Sequence, residues 1–249
     1  MHLAAEHLQS LLAPRPIKFY AQTESTQDVA LQWLQEGAAT GSVVIADEQL
    51  SGRGRHSRVW STPPGVALAM SIILRPAIAA LPQVMMLGAL TIIELLDGFG
   101  ADVATIKWPN DVRLHGRKVC GVLPEAVWDG DQLRGVALGI GVNVRNDFSN
   151  TLLQETAISL ETAFDQTLDR AKLIADLVPR LDYWSARLGT TVLFEAWQAR
   201  LETVGQMVTV TSTAGTVSGL AESVDEHGAL FVRDGDRVLH RILAGDIAP

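Results

Sequence analysis

The chain has 249 residues, 47% hydrophobic and 19% charged, enough for a packed core and unlike a disordered or low-complexity polymer. Its longest apolar stretch, 66–74, is far short of the ~20 residues of a membrane span, and Glu6 and His7 interrupt any N-terminal apolar run, so neither a span nor a signal peptide is expected. A net charge of −8 argues against nonspecific nucleic-acid binding, and the single cysteine, Cys120, excludes an internal disulfide and a multi-cysteine zinc site. A soluble cytoplasmic protein is the expectation.

In chain order, residues 3–12 read as a short amphipathic helix that ends at the Pro14-Arg-Pro16 break, and 17–20 as a strand. Ser25 caps a helix expected to run to Gln35 and stop at Gly37; 42–47 is an apolar strand. Residues 66–74 suit a central strand buried on both faces, and 82–97 a helix that stops at Gly98. Strands follow at 104–107, 118–127 and 133–144, the last two joined at Asp129-Gly130, then helices at 171–188 and 191–202. From Gly205 onward, Val/Thr/Leu-rich runs alternate with glycine turns, which predicts four or five short strands in a small barrel. The boundary expected is therefore a mixed α/β domain over 1–202 and an all-β module over 203–249.

Five segments hold the residues suited to chemistry. Only four lysines stand against sixteen arginines, and Arg53, Arg55 and Arg58 fall together in Gly52-Arg-Gly-Arg-His-Ser-Arg58, between Gln49 and Trp60. Glycines let backbone N–H groups approach an anion, and guanidinium forks bind phosphate oxygens in pairs. A solvated basic loop is an equal reading, and no Gly-Lys-Ser/Thr follows to make a P-loop. Lys107-Trp-Pro-Asn-Asp111 puts a cation, an amide and a carboxylate on one Pro-directed turn, although taken alone it reads first as a turn in which Asn110 and Asp111 bond their own backbone. Arg117-Lys118 opens an apolar strand, Asn143 is embedded in another, and Ser25-Thr-Gln27 lies at a helix N-terminus, where cap and anion site are compatible roles.

The five segments, in this order and spacing, resemble the biotin protein ligases. The match runs over about 20–144, and the β-rich tail is similar to that family's C-terminal module. The resemblance implies a class II synthetase-like catalytic domain with a small SH3-like β-barrel. It also implies a two-step reaction in which biotin and MgATP give biotinyl-5′-adenylate and pyrophosphate. A lysine of the biotin carboxyl carrier protein of acetyl-CoA carboxylase, or of a related carboxylase, then takes the biotinyl group. Carried over by position, Ser25, Thr26, Gln27 and Gln49 contact biotin and the backbone of Gly52, Arg53, Gly54 and Arg55 closes over it. Arg53, Arg55 and Lys118 hold its carboxylate and the α-phosphate as the catalytic cations. Trp60 and Asn143 meet the adenine; Lys107 and Asn110 serve the phosphates, and Asp111 the magnesium ion. No protein nucleophile is required, since fixed cations and N–H groups answer the charge that builds on phosphorus.

The sequence departs from the family pattern at Gln27, Ser57 and Cys120, and at Pro124, which is expected to mark a bulge or an edge. The alternatives are a lipoate ligase, an octanoyl transferase using Cys120 as nucleophile, or a biotin-binding regulatory protein without turnover. Val119 and Val122 predict a buried, inert thiol. About 20 residues precede the Ser25 helix, too few for a helix-turn-helix domain, so no DNA partner is expected. Membrane partners are likewise not expected. Related enzymes are often dimers, which makes a homodimer an expectation by analogy alone.

Overall fold

The computed structural model describes residues 3–100 and 104–248. Met1, His2, 101–103 and Pro249, which the two expected domains include, lie outside the described residues. The elements are α1 (Ala5–Leu12), β1 (Ile17–Thr23), α2 (Thr26–Gln35), β2 (Val43–Gln49), β3 (Ala67–Leu74), α3 (Gln83–Asp97), β4 (Thr105–Lys107), β5 (Asp111–Leu114), β6 (Arg117–Asp129) and β7 (Gln132–Asn143). They continue with α4 (Leu160–Phe164), α5 (Arg170–Ser185), α6 (Thr191–Gln198), β8 (Met207–Ser212), β9 (Gly215–Val224), β10 (Leu230–Asp234), β11 (Leu239–Ile242) and β12 (Asp246–Ile247).

Seven strands form one mixed sheet in the order β1-β2-β3-β7-β6-β5-β4, in which β1 and β2 run parallel and the other neighbours antiparallel. Every residue of β3 is buried, as an apolar run covered on both faces requires. Its alternation divides the molecule. Leu68, Met70, Ile72 and Leu74 join Leu87 and Leu90 of α3 and Leu177 and Leu181 of α5 in the main core. Each such side chain contributes about 1.5–3 kcal/mol by leaving water. On the other face Ile73 packs on Ala30 and Leu34 of α2, whereas Ala69 and Ser71 border an open cleft. The cleft face of the sheet is thus built from small side chains on an apolar back.

A buried ion pair braces this back: Arg170 of α5 meets Asp47 of β2 at 2.5 Å and donates to the Ala67 carbonyl at 3.0 Å. The C-terminal strands form a second, antiparallel sheet in the order β11-β10-β9-β8-β12. Trp108 joins the two sheets. Its ring N–H donates to Gly228 O at 2.8 Å and its backbone N–H to Thr203 Oγ1 at 2.9 Å.

Most elements form where the sequence places them, within a few residues. Strand β5 and the short helix α4 were not foreseen, and α5 and α6 end at Ser185 and Gln198, before the expected 188 and 202. The β5–β6 hairpin turns on His115-Gly116, both with positive φ (50° and 73°), a two-residue turn that Asn-Gly would have announced. Pro124 pairs with Leu138 of β7, but β5 pairs with β6 only as far as Gly121, so its missing donor falls on a locally free edge. Among the described residues no helix is long and apolar enough to cross a membrane.

Candidate active site

The cleft on the α2 face has a volume of about 1010 Å³, at the upper end of the ~300–1,000 Å³ of small-molecule sites. Its floor follows from strand alternation. Leu138 and Val142 point into the core, so the residues between and after them (Gly139, Gly141 and Asn143) face the cleft, joined from β6 by Gly121. A Cβ at Gly141 would lie 2.5 Å from the Trp60 indole, so that glycine is what lets the ring rest on the floor.

One end of the cleft is a chain of polar contacts. Ser25 caps α2 by accepting from Gln27 N at 3.2 Å. Gln49 Oε1 accepts from Thr26 N (2.8 Å) and Thr26 Oγ1 (3.0 Å), and Gln49 Nε2 donates to Thr62 Oγ1. Thr26 Oγ1 lies 3.0 Å from Ser71 Oγ, which donates to Gln27 Oε1 at 2.9 Å. The hydroxyls of Thr26 and Ser71 thus have two protons for three contacts. They can re-aim at little cost toward a ligand that both donates and accepts. The Gln27 amide nitrogen is committed to the carbonyls of Leu123 (3.2 Å) and Ala137 (3.0 Å), which makes Gln27 a shaper of the wall.

The Gly/Arg segment is a closed hairpin over this end. Gln49 pairs with Thr62 and Arg53 with Val59; Gly54 N–H donates to Arg58 O (2.8 Å) and Trp60 N–H to Gly52 O (2.7 Å). Gly52 admits the return strand so closely that a Cβ there would lie 2.3 Å from Trp60 O. The three arginines diverge. Arg53 reaches outward to Asp28 (2.7 Å) and Glu125 (2.6 Å), clasping the loop to α2 and β6. Arg55 turns inward to Asn110 Oδ1 (3.3 Å), while its other nitrogen donates to Gly245 O (3.0 Å). Arg58 meets Asp246 at 2.6 Å.

The other end is cationic. The turn from β4 to β5 carries Asn110, whose amide donates to Val122 O at 2.8 Å, and Asp111, paired with Lys118 Nζ at 2.6 Å. Lys118 also lies 5.5 Å from the Trp60 ring centroid. Lys107 donates to Ala248 O at 3.3 Å. Burial pulls the pKa of Arg55 down, partly offset by Asp246 and Asp111. Burial also lowers Lys107, reinforced by Arg113 and opposed by Asp111 and Glu202. These cations have already lost water, which favours an anion that restores their solvation. Cys120 is buried on the core side and does not line the cleft; burial raises its pKa far above the ordinary thiol range.

The structure therefore gathers Arg55, Lys107, Asn110, Asp111 and Lys118 at one end, and Ser25, Thr26, Gln27 and Gln49 at the other. Trp60 lies on the floor beside Lys118. Arg53 does not join the cationic group, because two carboxylates hold its guanidinium at the rim. Asn143 donates to Ile158 O (3.3 Å) and Lys118 O (3.4 Å), so its amide nitrogen serves the wall while its Oδ1 meets no hydrogen-bond donor among the described residues. Sequence reasoning missed Ser71, Thr62 and Asp246. A serine inside an otherwise apolar strand was the available signal for Ser71; Asp246 gave none.

A cleft with hydroxyls and amides at one end and desolvated cations at the other suits the activation of a small carboxylic acid by a nucleotide. Residues 19–143 match the biotin/lipoate A/B protein ligase family and residues 203–248 the biotin protein ligase C-terminal domain. The chain is 34% identical over 224 residues to the biotin–[acetyl-CoA-carboxylase] ligase of Paracoccus denitrificans, covering 86% of this chain and 92% of that protein. It is 33% identical over 233 residues to the bifunctional ligase/repressor BirA of Bacillus subtilis, covering 90% and 70% respectively. The biotin protein ligase of Aquifex aeolicus in complex with biotin and ATP shares the fold, with a TM-score of 0.78 at 23% identity over 94% of this chain and 97% of that one. The chain belongs to the biotin protein ligases of the biotin/lipoate A/B protein ligase family.

Proposed function

We propose that this cleft joins biotin to AMP and passes the biotinyl group to a lysine of a biotin carboxyl carrier domain of acetyl-CoA carboxylase or a related carboxylase. The observation that carries the reading is the convergence of Arg55, Asn110, Asp111 and Lys118 beside the Thr26–Gln49–Ser71 chain. The polar chain suits the ureido head of biotin, which presents N–H donors and a carbonyl acceptor. The apolar floor takes the rings, and the acid tail reaches Lys118. The biotin carboxylate oxygen attacks the α-phosphorus of ATP; the bond to the β-phosphate oxygen breaks and pyrophosphate leaves. Arg55 and Lys118 hold the two reacting anions together and meet the negative charge that grows on the phosphorus oxygens. In the second step the carrier amine attacks the biotinyl carbonyl, an amide forms and AMP departs.

Trp60 and Asn143 Oδ1 are assigned to the adenine and Lys107 to the outer phosphates. Magnesium fits as an ion brought in with the nucleotide: no group of three acidic or imidazole ligands exists among the described residues, and Asp111 with the phosphates themselves would hold it. When bound, it would spread the phosphate charge. Arg53 serves as a clasp of the loop. We also assign the biotin and ATP sites to 1–202 and a class II synthetase-like character to that domain, an SH3-like closure to 203–249, a cytoplasmic setting, no DNA or membrane partner, and a homodimer.

Lipoate ligation and octanoyl transfer are not favoured. The Paracoccus denitrificans relative is named a biotin–[acetyl-CoA-carboxylase] ligase, and the one cysteine lies behind the floor. Labelling of a purified carrier domain by biotin, with and without ATP, tests the reading. ATP-dependent labelling with no enzyme-bound thioester is expected, and ATP-independent labelling through Cys120 would overturn it.

A further inference from the structure

One carboxylate near the C-terminus gathers three basic side chains of the hairpin loop. Asp246 of β12 lies 2.6 Å from Arg58 Nη2, 3.2 Å from Arg55 Nη1 and 3.6 Å from His56 Nε2. The Gly245 carbonyl beside it accepts from Arg55 Nη2. On its opposite flank the same hairpin is held by Arg53 to Asp28 and Glu125. The loop over the cleft is therefore pinned on one side by the catalytic domain and on the other by the C-terminal sheet.

We propose that Asp246 is a positioning residue for retention of the adenylate: it latches the hairpin loop closed through Arg58 while sharing Arg55 with the phosphate of the bound intermediate. The inference rests on the proposed function. A carboxylate at the mouth of a site for a polyanion repels its ligand unless it does other work, and here the loop cations explain its presence. Arg55 has five donors, enough to keep Asn110 and donate to a phosphate as well as to Asp246. Arg58 points away from the floor, 70% exposed, so its contact with Asp246 persists when Arg55 turns. Biotinyl-adenylate is a mixed anhydride that water and stray amines attack, and a loop tethered at one flank only would release it.

The experiment uses the full chain with biotin and MgATP. It measures biotin on serum albumin as a bystander against the rate of biotin-dependent pyrophosphate exchange, in wild type, Asp246→Asn, Asp246→Glu, Arg58→Gln and the double variant. Asp246→Asn should raise bystander labelling about tenfold per exchange turnover while kcat for exchange stays within about threefold. Asp246→Glu should restore it, and Arg58→Gln should leak severalfold without adding to Asp246→Asn. Wild-type leakage should grow more steeply from ~50 to ~500 mM KCl than that of Asp246→Asn, which keeps only the Arg53 pairs for salt to screen. Unchanged leakage in a folded Asp246→Asn overturns the latch, and so does a lower KM for ATP as its only effect. If Asp246→Asn fails to fold, Arg58→Gln on the exposed side of the pair decides by the same ratio. A wild type that shows no biotin-dependent exchange would sink the functional reading instead.

Discussion

Lys118 bears the greatest chemical demand in the cleft. It pairs with Asp111 and faces the Trp60 ring, and in the proposed reaction it holds the two anions together. Lys118→Ala should cut biotin-dependent adenylation by about 10²–10³, as loss of one preorganised charge at a developing anion does. The fold should be nearly unaffected, because a half-buried pair of this kind contributes about 1 kcal/mol or less. The check is pyrophosphate exchange beside thermal melting; near-normal exchange would mean that the phosphates bind elsewhere. Cys120 makes the opposite prediction. Burial raises its pKa, so the native thiol stays neutral while the unfolded chain ionises above about pH 8.5. The unfolded state then binds fewer protons, and stability falls as pH rises. Cys120→Ala should keep adenylation within severalfold, and its melting temperature should gain on wild type between pH 7 and pH 10. Parallel melting curves across that range would contradict the buried neutral thiol.

At the scale of elements, the hairpin loop and the braced sheet behave as separate units. Gly52→Ala would force a Cβ against the Trp60 carbonyl and open the loop, abolishing adenylation while leaving the melting transition close to wild type. Arg170→Ala strips the partner from a buried carboxylate and should lower the unfolding free energy by about 3–5 kcal/mol in urea titration. These same elements show what the sequence made legible. An apolar run announced β3, a serine cap α2 and the Asp129-Gly130 turn the β6–β7 hairpin, because local pattern and tertiary burial agree there. Strand β5 escaped because four residues carry too short a period and its turn uses His115 in place of the usual asparagine. The motif order revealed the cationic end of the cleft. It could not separate the three loop arginines, whose directions depend on Asp28, Glu125 and Asp246, acids far away in sequence.

Across the whole molecule, the C-terminal sheet abuts the cleft and helps hold the loop that covers it. Residues 245–248 supply Asp246 and the Gly245 and Ala248 carbonyls to the cleft, and Gly228 satisfies the buried Trp108. A chain ending at Glu202 should therefore lose stability and most of its adenylation, as well as carrier transfer. A truncation that makes adenylate at the wild-type rate would contradict the interlocked arrangement. The central claim is that one cleft activates biotin with ATP, and exchange of labelled pyrophosphate into ATP tests it most directly, with biotin, lipoate and octanoate compared as the acid. Exchange that requires biotin and magnesium and is negligible with the other two acids is the predicted result. Comparable exchange with lipoate or octanoate, or none with biotin, would contradict the account.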